Sequence, residues 1–224
     1  PGPWDRANPP MMERFVSGAS RPDYLRIPPV GIGQKIALFG GTFNPPHKGH
    51  RHVAMTGLSR LGVDQVWWLV TPGNPLKSHD GLADLEERVR ITRQYADHPR
   101  MVVTAFEANY NFRYTADTID FVRRRFPTVK FVWLMGADNL ATLHRWQKWR
   151  EIMRLVPVAV VDRPGASMSV MSSPAARSFA SARIPETQAA ALPWAAPPAW
   201  TFLHVPLDPT SSTAMRNGGH TSTS

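Results

Sequence analysis

The stretch Ile36-Ala37-Leu38-Phe39-Gly40-Gly41-Thr42-Phe43-Asn44-Pro45-Pro46-His47-Lys48-Gly49-His50 decides how this chain reads: an apolar run breaks into two glycines and delivers two histidines at a helix start. A short apolar run that stops at glycine fits a strand buried on both faces. Gly40 and Gly41 lack a Cβ, so the chain can turn sharply off that strand and an anion can approach the backbone closely. Pro45 and Pro46 stiffen the segment leading into the helix and limit the entropy lost when a ligand orders it. His47 and His50 are three apart, so a helix opening at Pro46 to Lys48 projects both from its first turn. That end of a helix carries unpaired N–H groups and partial positive charge. Two imidazoles there can donate to a phosphoryl group whose charge grows in a transition state. Gly49 between them is expected to leave the face bare, so that a nucleotide lies against the backbone.

Outward from this stretch, strand and helix patterns alternate. Residues 36–39 read as a strand, 49–61 as a helix and 65–70 as an apolar, aromatic strand. Asp84, with Glu87 at capping-box spacing, opens a helix that runs to about residue 96. Residues 101–105 read as a strand and 115–125 as a helix that Pro127 ends. Residues 130–135, 156–161 and 201–205 supply further strands, with a helix over 146–155. Repeated β-α units with continuous apolar strands predict an α/β fold: one doubly wound parallel sheet with helices on both faces. Ligands of such sheets bind beyond the carboxyl ends of the strands, where Gly40, Gly41 and Gly136 fall.

The length of 224 residues suits one α/β domain. Residues 1–33, proline-rich and without a sustained period, read as an extended or disordered leader, 34–216 as the domain and 217–224 as a flexible tail. Pro1 is no natural initiator, and Met11-Met12 is the expected start. Within the domain, residues 162–198 form an Ala/Ser/Pro-rich excursion, read as a long mobile loop with one short helix and no assigned chemistry. The chain has no cysteine, which excludes disulfides, thiolate metal sites and cysteine nucleophiles. No apolar run is long enough to cross a bilayer and the start has no signal-peptide core, so the expectation is a soluble cytoplasmic protein. The formal charge of +9 calls for an anionic partner, either nucleotide phosphates or nucleic acid. Arg123-Arg124-Arg125 sits at a helix end, where cations complement the dipole.

Further motifs come in order along the chain. Lys77, in the loop after the second strand, is a flexible cation suited to a phosphate contact. Tyr114-Thr115-Ala116-Asp117-Thr118 opens a helix with residues that serve equally as caps. Gly136 permits close approach, and Asp138 can accept from a sugar hydroxyl. Trp146 and Trp149, three apart, suit helix packing as well as ring stacking. After the last strand, Ser211, Ser212 and Thr213 offer N–H and O–H donors, and Arg216 adds a planar charged fork.

These motifs, in this order, resemble those of the H-x-G-H nucleotidyltransferase superfamily. Gly40-Gly41-Thr42-Phe43-Asn44-Pro45-Pro46-His47-Lys48-Gly49-His50 is similar to the signature of its bacterial nicotinate mononucleotide adenylyltransferase branch. The resemblance implies a Rossmann-like domain that transfers the adenylyl group of ATP to nicotinate mononucleotide, releasing pyrophosphate. It implies catalytic roles for His47, His50 and Arg216. ATP contacts are implied for Gly40, Gly41, Thr42, Phe43, Gly49, Gly136, Asp138, Ser211, Ser212 and Thr213. Lys77, Thr115 and Trp146 are implied to meet the acceptor, with Trp146 stacking on its ring. Mg²⁺ is expected to arrive with ATP, held by phosphates and water, with no protein metal site and no nucleic-acid or membrane partner. Two departures stand out: Leu76 occupies a position where the family often has His, and residues 217–224 cannot form the helix that commonly comes after the S-S-T-x-x-R motif. The alternatives are nicotinamide mononucleotide or phosphopantetheine as acceptor, or a non-catalytic basic nucleic-acid-binding module on the same fold.

Overall fold

Six strands, all parallel, form one sheet in the order β3-β2-β1-β4-β5-β6. The computed structural model describes residues 21–73, 81–163 and 168–205. The strands are β1 (Lys35–Gly41), β2 (Gln65–Val70), β3 (Met101–Thr104), β4 (Lys130–Gly136), β5 (Val158–Val161) and β6 (Trp200–Leu203). The helices that position the site are α1 (Lys48–Arg60), α2 (Leu85–Tyr95), α3 (Thr115–Arg125), α4 (Ala137–Thr142), α5 (Trp149–Leu155) and α6 (Pro174–Ser178). Chain order reverses between β1 and β4, so their carboxyl ends flank the crevice expected to take a ligand.

The period-two geometry of a strand sorts the apolar residues onto two faces. Ile36, Leu38, Trp67, Phe131 and Trp133 face a core closed by Ile119 and Val122 of α3, Leu140 of α4 and Ile152 of α5. Ala37, Phe39, Val66, Trp68, Val132 and Leu134 face the opposite core, closed by Val53 and Leu58 of α1 and Val89 of α2. A Cβ on Gly57 would stand 2.7 Å from Leu134 Cδ2, so the glycine lets α1 approach β4 closely.

Several boundaries differ from the expected ones for identifiable reasons. Residues 40 and 41 belong to β1, where Gly40 and Gly41 pair in register with Leu69 and Val70. α5 starts at Trp149 rather than 146, because Lys148 adopts a left-handed conformation (φ 57°) at its N-cap. The two tryptophans are thereby separated: Trp149 is buried against Phe179, and Trp146 lies outside the helix. Asp84 caps α2 by accepting from Glu86 N–H at 3.1 Å, while Glu87 turns to Arg90 instead of closing a capping box.

The described part of the excursion differs from the expected mobile loop. Residues 168–199 hold α6 and a series of 3₁₀ turns that place Ala175 and Ala176 in one core and Ala189 and Leu192 in the other. Small alanines allow such close packing without a helical period, which is why hydrophobic spacing did not reveal it. Residues 21–33 hold one 3₁₀ turn (Asp23–Leu25) and no strand, and they pack: Ala105 N–H donates to Tyr24 O at 2.7 Å and Leu25 is buried.

Candidate active site

The site is built where β1 passes into α1. Phe43 takes a left-handed backbone conformation (φ 45°) and buries its ring against Phe39 and Trp68, at 5.5 and 5.3 Å between centroids. A Cβ on Gly40 would lie 2.6 Å from Trp133, so packing requires that glycine, and one on Gly41 would lie a tight 3.2 Å from the Phe43 ring. The loop is also held from outside. Asn44 Nδ2 donates to Gly81 O at 2.8 Å and its Oδ1 accepts from Ala83 N–H at 3.2 Å. Arg88, 2% exposed, donates through Nη1 to Thr42 O (2.8 Å) and Thr71 O (2.7 Å), and through Nε to Ala83 O (2.9 Å).

His47 is the N-cap of α1, and its Nδ1 accepts from Gly49 N–H at 3.1 Å. His50 Nδ1 accepts from His47 N–H, also at 3.1 Å. This is a capping box made of imidazoles. Because both Nδ1 atoms accept, a neutral ring carries its proton on Nε2. The rings lie 3.8 Å apart between centroids, tilted by 31°. Burial pushes the His50 imidazole down to about 4; charge on His47 and Arg163 acts the same way, and Asp138 opposes it. At neutral pH His50 is therefore an uncharged Nε2–H donor.

A cavity of about 660 Å³ opens over these residues at the carboxyl ends of the strands. It brings together Gly40, Gly41, Thr42, Phe43, His47 and His50 of the β1–α1 passage with Gly136, Asp138 and Arg163, and with Glu107, Tyr114, Thr115, Thr118 and Trp146. Arg163 Nη1 pairs with Asp138 Oδ1 at 3.2 Å, and a Cβ on Gly136 would press on both side chains. Gly49 differs from its expected role. It is off the cavity wall, and a Cβ there would collide with the Arg163 guanidinium and lie 2.9 Å from the His47 ring. Its missing side chain admits Arg163, so the face is covered rather than bare. Lys77, Ser211, Ser212, Thr213 and Arg216 lie outside the described residues.

Three residues at the site were missed in the sequence. Arg163 carried a signal, since it comes two positions after the apolar run of β5 and so stands at the carboxyl edge where ligands of such sheets bind. Arg88 looks like any surface arginine of an amphipathic helix, although its spacing to Thr92 and Val89 places it on the buried face. Glu107 sits in a 3₁₀ turn (Phe106–Asn109) with no pattern to mark it.

The chain belongs to the cytidylyltransferase-like family, whose family model matches residues 38–218. Within that family it groups with bacterial nicotinate-nucleotide adenylyltransferases. It is 54% identical over 182 residues to the "Probable nicotinate-nucleotide adenylyltransferase" of Rhizobium meliloti (strain 1021), covering 81% of this chain and 97% of that protein. The protein of the same name in Methylorubrum extorquens is 56% identical over 182 residues, 81% of this chain and 98% of its own. The fold matches that of Plasmodium falciparum nicotinic acid mononucleotide adenylyltransferase complexed with NaAD, with a TM-score of 0.57 at 15% identity over 82% of this chain and 83% of that one. Among the described residues no helix is long and apolar enough to cross a membrane.

Proposed function

We propose that this protein transfers the adenylyl group of ATP to nicotinate mononucleotide, giving nicotinate adenine dinucleotide and pyrophosphate. The observation that carries the reading is the imidazole capping box: two rings at the N-terminus of α1, their Nε2 atoms left to a ligand, over a cavity at the reversal of strand order. The relatives' shared name supports the acceptor and the place in NAD biosynthesis.

An oxygen of the acceptor's phosphate attacks the α-phosphorus of ATP, and the bond to the bridging oxygen of the β-phosphate breaks as pyrophosphate leaves. The attacking group is already an anion, so no protein nucleophile or base is needed. Catalysis is alignment plus stabilisation of charge on the α-phosphate. His47 and His50 donate to its oxygens, with Thr42 beside them. Arg163, held by Asp138 and seated against Gly49, supplies fixed positive charge next to the two histidines. Gly136 and Asp138 receive the nucleoside. The part of the cavity lined by Thr115 and Trp146 receives the pyridine ring. By the resemblance, Arg216, Ser211, Ser212 and Thr213 hold the β- and γ-phosphates, and Lys77 tracks the acceptor's phosphate. ATP enters as its Mg²⁺ complex, a substrate rather than a resident metal. The use of ATP supports a cytoplasmic location.

The test is pyrophosphate release from Mg²⁺–ATP with nicotinate mononucleotide, nicotinamide mononucleotide and phosphopantetheine in parallel. Release strongest with nicotinate mononucleotide is expected; release with none of the three refutes the reading. His47→Ala and His50→Ala should each lower kcat by about 10²–10³-fold while the protein stays folded, as for removal of one preorganised donor.

A further inference from the structure

Lys148 and Asp117 stand outside the cavity lining, yet both hold on to residues that belong to it. Lys148 has the backbone of a left-handed turn (φ 57°, ψ 26°), and among the described residues Phe43 is the other non-glycine with positive φ. An L side chain is disfavoured in that region, so a lysine persists there only where its surroundings fix it. Phe43 is fixed by a ring buried in the core. Lys148 is exposed, and its side chain is held by charge instead.

Lys148 Nζ donates to Asp117 Oδ1 at 2.9 Å, across 31 positions of sequence, and lies 5.2 Å from the centroid of the Tyr114 ring. The other oxygen, Asp117 Oδ2, accepts from the N–H groups of Tyr114 (3.1 Å) and Arg113 (3.3 Å), as a cap on α3. One carboxylate therefore joins two segments. The first holds Arg113, Tyr114 and Thr115, which line the cavity. The second holds Trp146, two residues before Lys148 and also on the lining. Trp146 is half-buried and comes directly after the 3₁₀ turn Leu143–Arg145; Leu143 and Trp149, at either end of this passage, are buried. Between those two anchors the chain makes its left-handed turn, so the placement of Trp146 depends on what holds Lys148.

We propose that Lys148 is a positioning residue: its ion pair with Asp117 ties the passage bearing Trp146 to the start of α3 and holds that part of the cavity in one shape before a ligand arrives. Without the pair the passage samples several positions, and an acceptor binds only the fraction already in place. Apparent acceptor affinity falls by that fraction, while the reaction of the bound acceptor is unchanged. The inference rests on the adenylyl-transfer reading, with the acceptor meeting Thr115 and Trp146.

The experiment measures kcat and the KM for nicotinate mononucleotide and for Mg²⁺–ATP in the whole chain and its variants. Lys148→Met keeps the length of the side chain and removes its charge. Its KM for nicotinate mononucleotide should rise by about threefold to tenfold, with kcat and the KM for ATP within about twofold of the unaltered protein. The pair is partly exposed, so the Tm should barely move. Lys148→Gly accepts the left-handed turn without strain, and it should show the same rise in acceptor KM; this variant decides the matter if Lys148→Met does not fold. Lys148→Arg keeps the charge and should restore a KM near that of the unaltered protein. Asp117→Asn still offers an oxygen to the Tyr114 N–H but no charge to Lys148; combined with Lys148→Met, it should raise the KM no further than either change alone. An unchanged acceptor KM in Lys148→Met and Lys148→Gly, an equal rise in Lys148→Arg, single effects that multiply in the double variant, or a matching rise in the KM for ATP overturns the proposal alone. Absence of turnover in the unaltered protein overturns the adenylyl-transfer reading and this inference with it.

Discussion

Replacing Arg88 by methionine tests what fixes the phosphate-facing loop. The guanidinium makes three hydrogen bonds of 2.7–2.9 Å to the main-chain carbonyls of Thr42, Thr71 and Ala83, and among the described residues none to a carboxylate. A hydrogen bond from a charged donor contributes about 1.5–3 kcal/mol, so the gross loss is about 5–9 kcal/mol. Methionine fills much of the same volume and needs no desolvation of a cation, which returns several kcal/mol. The remainder is the cost of carbonyls left without donors, about 1–3 kcal/mol each where water does not enter. A net loss of about 3 kcal/mol is therefore expected, and at about 2–4 °C per kcal/mol for a chain of this size the Tm should drop by about 6–12 °C. Arg88→Lys keeps the charge, but a single ammonium cannot span three carbonyls, so its loss should be intermediate. Thermal unfolding gives the first readout and steady-state kinetics the second. Freed from Arg88, Thr42 and Phe43 lose their fixed orientation, and kcat should fall even where the variant is fully folded. A methionine variant with the Tm and kcat of the unaltered protein would refute the argument that Arg88 organises this loop.

Three further outcomes derive from the geometry. Gly40→Ala places a methyl 2.6 Å from the Trp133 ring, and overpacking of this kind should cost about 1–3 kcal/mol in a urea titration, with reduced turnover. Arg163→Met breaks a partly exposed pair with Asp138, so its Tm should change little while KM for ATP or kcat worsens by about tenfold or more; unchanged kinetics would remove Arg163 from the site. His50 and Glu107 should oppose each other in the pH dependence of stability. His50 is depressed to about 4, so the unfolded chain binds its proton more readily and stability is lost as pH falls from 6.5. Glu107 is raised to about 7, so the native state binds its proton more readily and stability is lost as pH rises from 4.5. Between pH 4.5 and 6.5, Glu107→Gln should therefore lose stability on acidification and His50→Asn should gain it. Unfolding slopes of the same sign in both variants would contradict the two burial effects.

How much of this was legible depended on whether a residue acted locally. The strands were legible as apolar runs, with β1 and β4 ending at glycine and β5 running into Asp162; 65–70 was placed to the residue. The histidine pair was legible because its spacing matches one turn of helix. Residues acting across the chain were not. Arg88 serves carbonyls 46 and 17 positions away, and nothing near it in sequence records them. Glu107 owes its character to burial, which no local pattern records. The packed segment after β5 escaped because alanines give no hydrophobic period, even where they are fully buried.

Alignment catalysis demands a loop that does not need reorganising as charge develops. A glycine-rich turn is by itself the least suited to that, since glycine loses more freedom on ordering than any other residue. The structure meets the demand by borrowing order from neighbours. Phe43 anchors the turn in the core, Asn44 ties it to residues 81 and 83, and Arg88 gathers it with the end of β2. On the other side, the imidazoles cap the helix they act from, so the bonds that orient Nε2 are the bonds that start α1. A substitution that disturbs catalysis here without touching substrate is therefore expected most often on α2, the helix that carries Arg88.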